Sequence, residues 1–102
     1  MIRIRRTAGF DAWLRALRDQ CAKARIAIRI DRLATGNAGD AKPVGSGVSE
    51  LRVDVGPGYR LSFVRRGEAL IVLLCGGDKS TQQRDIVQAK ALAADLQDGD
   101  GA

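Results

Sequence analysis

Apolar positions change their spacing several times along the chain, and each change predicts an element. Ile2 and Ile4 alternate with Arg3 and Arg5, as in a short strand with one apolar and one basic face. Phe10, Trp13, Leu14 and Leu17 then fall at i, i+3, i+4 and i+7, one face of a helix, with Thr7 placed to cap it. Trp13 therefore belongs to a buried face rather than to a ligand platform. Residues 22–35 satisfy two periods at once. Ile26, Ile28 and Ile30 alternate as in a strand, while Ile26, Ile30 and Leu33 keep helical spacing. The surrounding alanines and arginines are good helix formers, and Gly36-Asn37 supplies a stop, so a second helix is expected.

Gly, Asn, Asp, Pro and Ser dominate from Gly36 to Gly47, which reads as a loop. Three strands should follow. Leu51, Val53 and Val55 point one way, with Glu50, Arg52 and Asp54 opposite; Gly56-Pro57-Gly58 makes a turn. Tyr59, Leu61 and Phe63 then face inward, with Arg60 and Ser62 outward, and Arg65 to Glu68 is a second turn. Ala69 to Cys75 is apolar nearly throughout, as expected of a central strand covered on both sides. Gly76 to Lys79 leaves the sheet. Ser80 with Gln83 forms a capping-box pattern, and Ile86, Ala89, Ala93 and Leu96 line a last helix. The expected fold is α+β, in the order β-α-α-β-β-β-α. It has a small, mostly antiparallel sheet with helices packed on one face. Residues 1–97 should form a single domain, and 98–102 a frayed acidic tail.

Charge and composition narrow the chemistry. Lysine and arginine outnumber aspartate and glutamate by 17 to 12, a net charge of +5, and the excess is concentrated in residues 1–32. Such a body suits a polyanion, RNA or DNA, or an acidic protein; it equally describes a solvated helical surface. No apolar run is long enough to span a bilayer, and no apolar leader core follows Met1, so the cytoplasm is the expected location. Cys21 and Cys75 fit no metal-binding spacing and read as two small apolar packers; no metal or cofactor is expected. The chain contains no histidine, the commonest acid/base near neutral pH.

Alternation places Glu50 and Arg52 on one strand face, with Arg60 on the same face of the next strand and Lys79 leaving the central strand nearby. Arginine forks match phosphate oxygens. Taken alone, the pattern also describes a solvated sheet face with an ordinary Glu–Arg pair. The stretches Lys42-Pro43-Val44-Gly45, Ser49-Glu50-Leu51-Arg52, Gly58-Tyr59-Arg60 and Leu74-Cys75-Gly76-Gly77-Asp78-Lys79-Ser80-Thr81-Gln82 resemble the HigB-like "addiction module killer" branch of the RelE/ParE toxin superfamily. Arg6-Thr7, Phe10-Asp11 and Trp13-Leu14 fit the same branch, and the similarity runs to Leu96.

The resemblance implies a toxin of a type II toxin–antitoxin system, with a helix-turn-helix, HigA-like antitoxin and a toxin–antitoxin hetero-oligomer. It also implies one of two activities: ribosome-dependent mRNA cleavage by 2′-OH attack, without a metal, or ParE-like poisoning of DNA gyrase. A non-enzymatic antitoxin-binding remnant is a third reading. For the nuclease, Arg52 and Arg60 match the strand arginines at the scissile phosphate, and Lys79 matches a basic position at the end of the last strand. Glu50, the carboxylate expected on that face, is the candidate base. Arg3, Arg5, Lys42, Arg65 and Arg66 are the candidates for further contact with RNA or the ribosome. Histidine or tyrosine serves as acid or base near the C-terminus of several nuclease members. Here histidine is absent and Tyr59 is expected to point inward, which leaves the leaving-group acid unassigned. An acidic, partly disordered antitoxin segment is expected to cover Arg52, Arg60 or the basic helices.

Overall fold

In the computed structural model, residues 2–99 are described, and of 97–99 the backbone alone. The chain runs β1 (Arg3–Arg6), α1 (Ala8–Ala16), α2 (Gln20–Ala34), β2 (Ala41–Gly45), β3 (Val48–Val53), β4 (Tyr59–Arg66), β5 (Leu70–Asp78), a 3₁₀ turn (Lys79–Thr81) and α3 (Gln82–Gly99). The five strands form one sheet in the order β1-β5-β4-β3-β2. Only β1 and β5 are parallel; the other pairs are antiparallel. The fold is α+β, as the periodicity predicts. Among the described residues, no helix is long and apolar enough to cross a membrane.

Residues 22–35 resolve as a helix because Ala22, Ile26, Ile30 and Leu33 form one continuous buried stripe. The competing strand pattern would have buried Ile28, which instead lies exposed. Thr7 caps α1 as expected: its hydroxyl accepts from the Phe10 amide at 3.1 Å and donates to the Leu74 carbonyl at 2.7 Å. That second bond ties the start of α1 to the central strand.

Four features depart from the sequence reading. First, the region read as a loop, 36–47, contains β2. It is an edge strand, where Pro43 forfeits no ladder bond that matters, and its register slips between Pro43 and Gly45.

Second, the helices cover both faces of the sheet. Phe10 from α1 and Ile26, Ile30 and Leu33 from α2 pack on Leu51, Leu61, Phe63, Ile71 and Leu73. Ala89 and Ala93 of α3 pack on the opposite face, against Val48, Val64, Val72, Leu74 and Cys75. A central strand that is apolar on both sides requires two covering layers, and α3 is the second.

Third, Gly76, Gly77 and Asp78 stay in β5, paired with Leu61, Arg60 and Tyr59. The two glycines are backbone that neighbouring groups press upon. Any Cβ on Gly76 would run into the Trp13 ring, and one on Gly77 into Asp85 and Thr81. Fourth, Asp78 rather than Ser80 caps the turn that leads into α3. At the far end α3 reaches Gly99, so residues 98 and 99, expected in a frayed tail, are helical; residues 100–102 lie outside the described ones.

β5 also carries one extra residue. Ser62 faces Cys75 but Phe63 faces Leu73, so both Leu74 and Cys75 join the α3 cluster. Cys75 is buried as predicted, its thiol pushed up to about 11 by burial and by the Asp85 charge, whereas Cys21 is exposed on α2.

Ser46 and Gly47 join β2 to β3 with positive φ at both positions, +57° and +77°. A two-residue hairpin of this type asks for Gly or Asn at such sites. Replacing Ser46 by glycine should therefore raise stability by about 0.5–1 kcal/mol, measured by urea unfolding at an unchanged m-value.

Candidate functional site

The end of the sheet where β3 and β4 meet the start of α3 brings three of the four predicted residues together. Arg52 and Arg60 are directly opposed across the β3–β4 ladder. Two cations in that relation repel, and each is met by its own carboxylate. Asp40 Oδ1 accepts from Arg52 Nη2 at 3.0 Å and from Nε at 3.3 Å. Arg60 Nε lies 3.4 Å from Glu50 Oε1, a charge contact whose angle does not make it a hydrogen bond. The Arg60 Nη1 group leans on the Gly58 carbonyl at 3.4 Å.

Glu50 departs most from expectation. Sequence alternation put it on the face with Arg52 and Arg60, and there it lies. That face is not open at Glu50, because α3 crosses it. Only 4% of the Glu50 side chain is exposed, and Gln82, the first residue of α3, donates its Nε2 to Glu50 Oε1 at 2.9 Å. A buried carboxylate costs several kcal/mol unless paired and hydrogen-bonded, and Arg60 and Gln82 supply both conditions. So held, Glu50 fixes the position of Arg60.

The arginine pair opens into a cleft of about 270 Å³ lined by Asp40, Arg52, Asp54, Gly58, Tyr59 and Arg60. Its walls are tied down from beneath. Arg29 of α2 donates to the Arg52 carbonyl at 2.6 Å and the Ala38 carbonyl at 3.0 Å, clasping the 38–40 segment against β3. The Arg52 amide bonds the Asp40 carbonyl at 2.9 Å, completing the clasp. Tyr59 faces the core as predicted, its ring centroid 6.0 Å from that of Trp13, and so forms the floor beside Arg60.

Lys79 does not line this cleft. It is exposed on the 3₁₀ turn, on the neighbouring surface with Pro57, Asp78 and Ser80. Lys42 sits beside the cleft on β2, as the cross-strand neighbour of Glu50. Arg3 and Arg5 lie on the edge strand β1, and Arg65 and Arg66 at the opposite end of β4 from Arg60. No site role is expected of Asp40, Arg29 or Gln82 from the sequence. Each reaches the site through a contact between distant segments, which local spacing does not encode.

The turn beside the cleft is held by Asp78, whose Oδ1 accepts from the Ser80 amide at 2.8 Å and the Ser80 hydroxyl at 2.5 Å. The Ser80 hydroxyl and then its amide hold the Asp78 carboxyl below its ordinary value of 3.8, with a smaller pull from Arg60. A depressed folded pKa gives stability that is complete above that ordinary value and is lost as pH falls through the lower folded one. Thermal melts of wild type and Asp78→Ala should therefore differ by a constant amount near neutrality and converge as pH drops below 3.8.

The profile of the family described as phage-derived protein Gp49-like (DUF891) matches residues 12–97. The chain belongs to that family. Over 95 residues it is 53% identical to an uncharacterized protein of Haemophilus influenzae, an alignment that takes in 93% of this chain and 96% of the relative. The Gp49-like match runs from within α1 to near the end of α3. It contains Glu50, Arg52, Arg60 and Lys79, the clasp residues Arg29 and Asp40, and Gln82; Arg3 and Arg5 precede it.

Proposed function

We propose that this Gp49-like protein is the toxin of a type II toxin–antitoxin system, of the HigB-like RelE/ParE kind, and that it cleaves mRNA on the ribosome. The observation that carries the reading is the opposed Arg52–Arg60 pair at the mouth of a cleft, with Arg60 anchored on a buried carboxylate. Membership in a family associated with toxins of such systems supports it.

Cleavage by the 2′-OH needs cationic donors at the phosphate, a base at the hydroxyl and an acid at the leaving oxygen. Arg52 and Arg60 would hold the scissile phosphate, the substrate displacing Asp40 from Arg52. Glu50 would act as a positioning residue for Arg60, in keeping with its burial. Of the carboxylates lining the cleft, Asp40 is bound to Arg52, and Asp54 is exposed. We assign the proton-accepting role to Asp54. Lys79 and Lys42 would flank the cleft and hold the neighbouring phosphates, and protonation of the leaving oxygen would fall to water or to Lys79. A HigA-like antitoxin with an acidic segment would silence the protein by occupying the arginine pair, and the cytoplasm is the location this reading requires.

Primer extension on a translated message after a brief pulse of expression tests it. Cuts in phase with codons are the expected result. Intact transcripts accompanied by DNA-damage signalling would replace this reading with gyrase poisoning. Growth arrest by neither route, with tight antitoxin binding, would leave a non-enzymatic binder.

A further inference from the structure

We infer a second phosphate-binding seat, formed by Arg65, Arg66 and Lys90, at the other end of β4 from the Arg52–Arg60 cleft. Arg60 and Arg66 share parity on β4 and point to the same side. Arg60 meets Glu50 beneath Gln82, and Arg66 Nη2 donates to the Ala93 carbonyl of α3 at 2.7 Å. They lie six steps apart along β4, about 20 Å at the usual rise. The helix α3 lies across the sheet between the two positions.

A depression of about 420 Å³ opens there, lined by Ser46, Gly47, Val64, Arg65, Arg66 and Lys90. Its three cations differ from those of the first cleft. Arg52 and Arg60 each have a carboxylate, whereas among the described residues none lies within 4.0 Å of Arg65, Arg66 or Lys90. The two arginines are positioned by main-chain carbonyls instead. Arg65 donates to the main-chain carbonyls of Gly67 at 3.2 Å and Glu68 at 3.1 Å. The Lys90 ammonium lies against Gly45, where a side chain would displace it.

Arg66 Nε is buried with no hydrogen-bond partner. Preset cations that keep their full charge around one depression are what an anion seat requires. Two such seats at the two ends of one strand suit a polymer with regularly spaced phosphates, and the net charge of +5 adds long-range attraction. The inference rests on the proposed function for its choice of RNA over an acidic protein.

The test measures binding of a uridine oligonucleotide to the full chain over a range of salt concentrations, for wild type and for the Arg65→Gln/Lys90→Gln double variant. Arg66 is left in place because it braces α3. The double variant should bind about tenfold more weakly at low salt, and its slope of log affinity against log salt should fall by about 0.7, one phosphate contact on a single strand. Its melting temperature should match that of wild type.

An unchanged affinity and slope would remove the seat, even if cleavage by the wild type is confirmed. A changed slope in a protein that cuts no message would keep the seat and reject the nuclease. If binding of polyglutamate falls and that of RNA does not, the depression receives an acidic protein segment, and the RNA seat is overturned.

Discussion

Arg60→Lys should lower codon-phased cleavage by about 10²–10³-fold while moving the melting temperature by no more than a few degrees. The lysine keeps a positive charge facing the buried Glu50, so the core near Gln82 stays compensated. It loses the planar fork that presents two donors to a phosphate. Arg60→Ala would abolish activity too, but it also strands Glu50, and breaking a buried pair costs about 3–5 kcal/mol. The lysine variant separates the two effects. Primer extension gives the activity and thermal melting the stability. Cleavage within threefold of wild type would show that Arg60 takes no part in holding the phosphate. Glu50→Gln should fall between the two: Arg60 loses the charge that fixes its position, so the rate drops while the uncharged glutamine leaves the core near Gln82 intact.

The largest structural effect is expected from Gly76→Ala. Gly76 sits in β5 opposite Leu61, and ring atoms of Trp13 occupy the place where a methyl group would stand. The indole cannot swing away cheaply. It is wedged between Phe10, at a centroid distance of 5.7 Å, and Tyr59, at 6.0 Å. Overpacking of this kind costs about 1–3 kcal/mol, and rigid ring atoms place Gly76 at the upper end. A chain of this size should lose on the order of 10 °C in melting temperature. Tryptophan fluorescence should shift at the same time, since the ring must leave its slot. Adding Trp13→Leu to Gly76→Ala should restore part of the loss; a double variant no better than Gly76→Ala alone would show that the strain lies elsewhere.

Much of this was legible in the chain, and the gaps have physical causes. Period-two alternation locates β3 and β4 and puts Arg52 and Arg60 on one face; their direct opposition comes from the register of the hairpin. The helix of residues 20–34 was recoverable because Ala22, Ile26, Ile30 and Leu33 continue a stripe that the strand pattern cannot. β2 was missed because edge strands tolerate the proline and glycines that ordinarily signal a loop. The burial of Glu50 was missed because it depends on where α3 crosses the sheet. Nothing local to Glu50 encodes Gln82 reaching over it from 32 positions away. The apolar run of β5 did announce two covering layers, and assigning the helices to one face was inconsistent with it.

The position of β1 has a consequence for synthesis. β1 pairs with the last strand, β5, with Arg3 opposite Leu70 and Arg6 opposite Leu73. During translation β1 therefore waits unpaired until β5 has emerged. Closing so long a loop slows folding. The arginine pair thus reaches its final setting only after β5 and the start of α3, which brings Gln82 to Glu50, have been made.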